Sequence, residues 1–154
     1  MKFSRLVLIL FLFTQCEPSY YNKYVVRNDT SYSIKIQAYS RIKDEDYQKK
    51  PERINIAPNS SYTAIKQAGY HAEPEGIFIR YEIDSVSILF DNLKVMVQFC
   101  DNGLLTDCDI ERNIMNFELE YDKKFTGKSS GHNEYQFTYT ITDEDYENAA
   151  YISN

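Results

Sequence analysis

The sequence predicts a mostly β fold, a sandwich of antiparallel strands followed by a short C-terminal helix. Three observations predict it. Apolar residues alternate at period 2 along much of the chain, turn residues punctuate it at short intervals, and strands do not alternate with helices. A small up-and-down β-barrel is the alternative, and the uneven hairpin lengths favour the sandwich. Hydrophobic residues make up 43% of the 154, enough for one core and too many for a disordered chain.

The elements follow in order. Tyr32, Ile34, Ile36 and Ala38 share one face of a first strand. The charged stretch Lys43–Asp46 leads to a short strand over Arg53–Ile56, and Pro58-Asn59-Ser60 is a turn before a strand around Tyr62–Ile65. Gly69, Pro74 and Gly76 mark a loop, after which Ile77–Tyr81 reads as extended. The best-specified element is a hairpin. With Asp91-Asn92 as a two-residue turn, Phe90 faces Leu93, Ile88 faces Val95 and Val86 faces Val97, so every facing pair is apolar. Asn116–Tyr121 and Glu134–Ile141 give two more strands, with a loop expected at Gly127–Gly131 between them. Thr142 then caps a short helix whose first turn is Asp143-Glu144-Asp145 and whose apolar face carries Tyr146, Ala149 and Ala150.

The first residues have a separate logic. Lys2 and Arg5 precede an apolar run from Leu6 to Phe13, the layout of a secretory signal. Eight apolar residues fall far short of the roughly 20 that a membrane-spanning helix needs. The segment closes on Thr14-Gln15-Cys16, which resembles the lipobox of bacterial lipoproteins. That resemblance implies cleavage before Cys16 and acylation of its thiol, and two or more fatty chains hold a protein stably on a bilayer. An ordinary secretory signal with an incidental cysteine is the other reading. The expected organisation is a signal over residues 1–15, a lipid-anchored tether over 16–23 and one β domain over 24–154.

Losing Lys2 and Arg5 with the signal takes the formal charge from −6 to −8. An acidic chain without a basic cluster is a poor nucleic-acid binder and a better match for a basic protein. With Cys16 lipidated, Cys100 and Cys108 remain, an even number in an oxidising compartment, and a disulfide between them is expected. Two free thiols are the alternative. Around that loop Asp101, Asp107, Asp109 and Glu111 concentrate carboxylates of the kind calcium prefers, but they miss the EF-hand pattern, and solvated acids account for them equally. No metal or other cofactor is expected. His71 and His132 are the only histidines, and no nucleophile motif accompanies either.

Fourteen tyrosines, nine phenylalanines and no tryptophan are the distinctive feature of the composition. Tyr32 and Tyr139 fall on core-facing positions. Tyr20, Tyr21, Tyr39, Tyr47 and Tyr70 lie near turns, where exposed rings would serve a sugar or a protein partner.

Cys16-Glu17, the strand Asp84–Phe90 with its turn, and the ending Tyr139–Ala149 together resemble small lipoproteins of Bacteroidetes. The resemblance implies a lipid anchor in the cell envelope, in the outer membrane by preference, and an immunoglobulin-like form of the sandwich. It transfers no active-site residues. The expected function is a non-catalytic envelope module that binds a protein or a glycan. The second expectation is an inhibitor or immunity-type lipoprotein capping a basic enzyme through acidic surface. The third is an enzyme using His71 or His132.

Overall fold

Alternating apolar side chains cannot all be buried by one sheet, and here two sheets bury them against each other. A computed structural model describes residues 20–40, 53–68, 77, 83–99, 112–116, 120–129 and 132–153. They form β1 (Tyr20–Asn28), β2 (Ile34–Ser40), β3 (Arg53–Ile56), β4 (Ser60–Ala68), β5 (Ile83–Phe90), β6 (Lys94–Phe99), β7 (Asp122–Ser129), β8 (His132–Ile141), the helix α1 (Asp143–Asn148) and the short β9 (Ala150–Tyr151). One sheet has the order β4-β1-β8-β7 and the other β3-β2-β5-β6-β9. The expected sandwich is what forms, and the two sheets do not close into a barrel.

The buried faces are those that alternation marks. Ile34, Ile36 and Ala38 of β2, Ile54 and Ile56 of β3, and Val86, Ile88 and Phe90 of β5 meet Tyr24 and Val26 of β1 and Phe137, Tyr139 and Ile141 of β8. Tyr24 stacks on Phe137 with ring centroids 5.4 Å apart, and Tyr121 packs at 5.5 Å from Tyr139. The tyrosine-rich composition therefore supplies much of the core.

Three features depart from the expectations. Tyr20–Lys23, expected to be tether, already belong to β1. In that strand Tyr24, Val25 and Val26 are all buried, so simple alternation does not mark it. Second, β1 pairs with β8 in parallel, Val26 opposite Tyr139, while the other pairings are antiparallel. Strands so far apart in sequence are joined by no hairpin, and no turn dictates their direction. Third, Asn116, Glu120 and Tyr121, the described residues of the strand expected at Asn116–Tyr121, lie outside any strand, and β7 instead spans Asp122–Ser129, over the start of the loop expected at Gly127–Gly131. Thr126 is the extra residue of a bulge there, and Gly127 takes φ +156°, a conformation L side chains rarely adopt.

Turn chemistry behaves as the residues predict. Asn59, between β3 and β4, has φ +51°, and the Ser60 hydroxyl donates to the Ala57 carbonyl at 2.7 Å. Fully buried Asn28 fastens two connections at once. Its Nδ2 donates to the Tyr32 carbonyl at 2.8 Å and the Ala57 carbonyl at 2.9 Å, while its Oδ1 accepts from the Thr30 N–H and hydroxyl. At the helix start the Thr142 N–H donates to Asp145 Oδ2 at 2.8 Å, half of a capping box.

Candidate interaction surface

The β5–β6 hairpin decides what this protein shows to solvent. Asp91 and Asn92 have φ +46° and +57°, and the Leu93 N–H donates to the Phe90 carbonyl at 2.8 Å, so the predicted turn is present. Leu93, however, is an extra residue. Phe90 pairs with Lys94, Ile88 with Met96 and Val86 with Gln98, one position away from the expected register. The shift turns Lys94, Met96 and Gln98 inward and leaves Val95, Val97 and Phe99 facing out.

Hydrogen bonds account for this choice. Gln98, only 2% exposed, donates through Nε2 to the Arg112 carbonyl at 2.7 Å and accepts the Ile114 N–H on Oε1 at 2.9 Å. Buried Lys94 donates to the Tyr146 carbonyl at 3.0 Å, at the C-terminal end of α1 where cations are favoured, and lies 4.4 Å from the Tyr146 ring centroid. The Leu93 carbonyl accepts the Ile152 N–H, so the bulge also holds the C-terminal strand. Each inward polar group is satisfied, and the cost is an outward apolar face.

That face is continuous. Across adjacent strands Tyr39 lies opposite Ser85 and Ser85 opposite Phe99; Ser87 lies opposite Val97, and Leu89 opposite Val95. Val97 is 56% exposed, Phe99 44% and Tyr39 43%. Beside them an open depression of about 900 Å³ is lined by Lys35, Arg53, Asn55, Leu89, Asp91 and Asn92. An apolar stripe rimmed by polar and basic groups is the form of a protein-contact surface.

A second cluster centres on Arg112. Its guanidinium grips Asp145 through Nε–Oδ1 at 2.7 Å and Nη2–Oδ2 at 2.6 Å, and also donates to the Thr140 carbonyl. The hydrogen bond to Asp145, the largest cause, raises the arginine's pKa, so it stays charged. Its backbone lies at φ +60°, held by the N–H to Glu120 Oε1 and by a carbonyl that accepts from both Gln98 and the Tyr139 hydroxyl. This is a structural clamp between sheet, helix and the 112–116 segment. No alternation or motif in the sequence marks it; Arg112 and Asp145 meet only in space.

The chemistry expected from sequence lies elsewhere. Cys16, His71, Cys100, Cys108, Asp101, Asp107, Asp109 and Glu111 are outside the described residues, as are Tyr47 and Tyr70. His132 starts β8, at the opposite end of that strand from the Arg112 clamp beyond Ile141. Among the described residues no group of three His, Cys, Asp or Glu side chains is placed to hold a metal. No described helix is long and apolar enough to cross a membrane. Of the turn tyrosines, Tyr21 and Tyr39 are exposed.

No family model and no curated protein matches the chain.

Two buried phenols give the clamp a pH signature. The Tyr139 hydroxyl donates to the Arg112 carbonyl at 2.6 Å, and the Tyr121 hydroxyl to the Ile114 carbonyl at 3.0 Å. Burial pushes Tyr139 up to about 12 and raises Tyr121 further still. A pKa raised in the folded state favours folding below the unfolded value near 10 and loses that contribution as pH climbs toward the folded value. Stability should therefore fall above about pH 10, by up to about 1.4 kcal/mol per pH unit for each buried phenol. Alkaline titration monitored at the tyrosinate band should show part of the absorbance rising together with unfolding. Tyr121→Phe should flatten the fall, and an unchanged slope would contradict this account.

Proposed function

We propose that this chain is a non-catalytic binding module of the bacterial cell envelope, lipid-anchored through Cys16, that engages a protein partner across the outer face of β2, β5 and β6. The observation that carries the reading is the apolar stripe Tyr39, Leu89, Val95, Val97 and Phe99, whose three β6 members are turned outward by the Leu93 bulge. Branched aliphatic side chains favour a protein over a glycan, because sugars stack on flat rings. The inhibitor reading draws on acidic surface. The described framework carries as many Lys and Arg as Asp and Glu, so the acidic excess belongs to other parts of the chain, and the apolar stripe is the better-supported interface.

The test is capture from envelope extracts with the full-length protein and with the Val97→Asp/Phe99→Asp variant. Wild type should retain a partner that the variant loses at least about tenfold, since two desolvated apolar contacts are replaced by charges. Equal capture would remove the stripe from the interface. Cys16→Ala should abolish fatty-acid incorporation and release the protein from membranes, and unchanged labelling would defeat the anchor.

A further inference from the structure

We infer that the partner segment lying on the outward stripe carries an acidic side chain, whose carboxylate docks between Lys35 and Arg53 in the depression beside the stripe. The inference rests on the stripe being a protein-binding surface, as proposed above, and names the chemistry of the segment it takes.

The pleat determines which charges stand on this face. Throughout β2, β3 and β6, and from Ser85 onward in β5, the outward positions carry two charges, Lys35 and Arg53, and no acid. The chain as a whole has a formal charge of −6, so this face is opposite in sign to the molecule that bears it. Lys35 lies opposite Asn55 and Arg53 opposite Gln37, which makes the two cations diagonal neighbours on adjacent strands, about 7 Å apart. Like charges within reach of each other repel. Neither side chain is paired with an acid among the described residues.

Both cations line the open depression of about 900 Å³, where Asn55 and Asn92 add side-chain amides. Asp91 is the acid on its rim. That carboxylate stands at the hairpin turn, where Oδ1 accepts the Ser33 N–H at 2.8 Å. Arg53 is at the other end of the depression, level with Gln37 and so four strand residues, or about 13 Å, beyond Ser33. The anion that a protein segment can bring to a lysine and a guanidinium is a carboxylate, which arginine binds through two parallel hydrogen bonds.

Strand register sets the spacing between the charged and apolar parts of the site. Lys35 shares a row with Leu89 and Val95, and Arg53 shares one with Gln37, Ser87 and Val97. Strands lie about 4.8 Å apart, which puts Val95 about 10 Å from Lys35 and Val97 about 14 Å from Arg53. An extended chain covers that longer distance in about four residues. A segment crossing the strands therefore rests an apolar side chain on Val97 and reaches the cations with an acid about four residues away. Desolvation of the stripe supplies affinity, and the cation pair selects against basic segments.

Selection of a random peptide library on the full-length protein tests this. Recovered sequences should combine a branched aliphatic or aromatic residue with Asp or Glu about four positions away, and acids should outnumber Lys and Arg. On the Lys35→Glu/Arg53→Glu variant the preference should reverse toward Lys and Arg, a gain that only a folded face can give. On the uncharged Val97→Ser/Phe99→Ser variant the apolar preference should vanish and the acids remain. A recovered acidic peptide, titrated by calorimetry, should bind Lys35→Ala/Arg53→Ala about tenfold more weakly than wild type and lose affinity as salt is added. Peptides without an excess of acids, or acids that persist against the charge-reversed variant, overturn the inference; an apolar preference that the serine variant abolishes then keeps the stripe. Acids recovered without apolar residues support the carboxylate site and remove the stripe. Failure to recover any peptide counts against both.

Discussion

Replacing Arg112 with alanine is expected to destabilise the fold by about 3 kcal/mol, the low end of what breaking a buried ion pair costs. Asp145 is 2% exposed and accepts from Arg112 Nε and Nη2 and from the Thr142 N–H and hydroxyl. Without the guanidinium, a buried carboxylate keeps only its two bonds to Thr142. The arginine side chain is 39% exposed, so water screens part of the loss, which is why the low end is chosen. Arg112→Lys should recover little, because an ammonium cannot reproduce two parallel bonds to the carboxylate and reach the Thr140 carbonyl as well. Urea unfolding of the three proteins measures this directly. A loss below about 1 kcal/mol for alanine would mean that the clamp is an ordinary surface pair.

Gln98→Ala is expected to cost about 2–3 kcal/mol, since it strands the buried Ile114 N–H and empties fully packed space. Val97→Ala, one residue earlier, should change stability by no more than about 0.5 kcal/mol, because Val97 faces solvent. The pair of variants reads the hairpin register. If Ile88 faced Val95 and Val86 faced Val97, the order of the two effects would reverse, with the valine substitution severe and the glutamine substitution harmless. Parallel thermal or urea melts of the two single variants distinguish the registers without any partner or activity.

The hairpin also shows how far alternation carries. In β2, β3, β5 and β8 the alternating apolar sets read from sequence are the buried ones, because burial follows the pleat and the other face of each strand is mostly polar, Tyr39 and Leu89 excepted. In β6 both faces carry apolar residues: Met96 on one, Val95, Val97 and Phe99 on the other. Hydrophobicity alone prefers the second set inside. What reverses it is the requirement that Lys94 and Gln98 find partners, which are carbonyls and an N–H of segments 14 to 53 residues away. Strand β1 was illegible for a related reason, since Val25 is buried although it falls on the face opposite Tyr24 and Val26. The bulge at Thr126-Gly127 turned residues with loop composition into strand.

The same division applies to function. The cysteine after a short apolar run, the acidic balance and the tyrosine-rich composition are properties of the chain as written, and they carry the expectations of anchor and compartment. The outward stripe exists only after folding.

By itself the sequence determined the mostly β class, the turns at Asn59 and Asp91-Asn92, the capped C-terminal helix and most of the core, because each depends on local conformational preference or on a two-residue period. Tertiary structure alone decided the parallel pairing of β1 with β8, the register of β6, the Arg112–Asp145 clamp and the identity of the exposed apolar face. Those depend on which distant polar groups satisfy one another when water is excluded, and no local pattern encodes that.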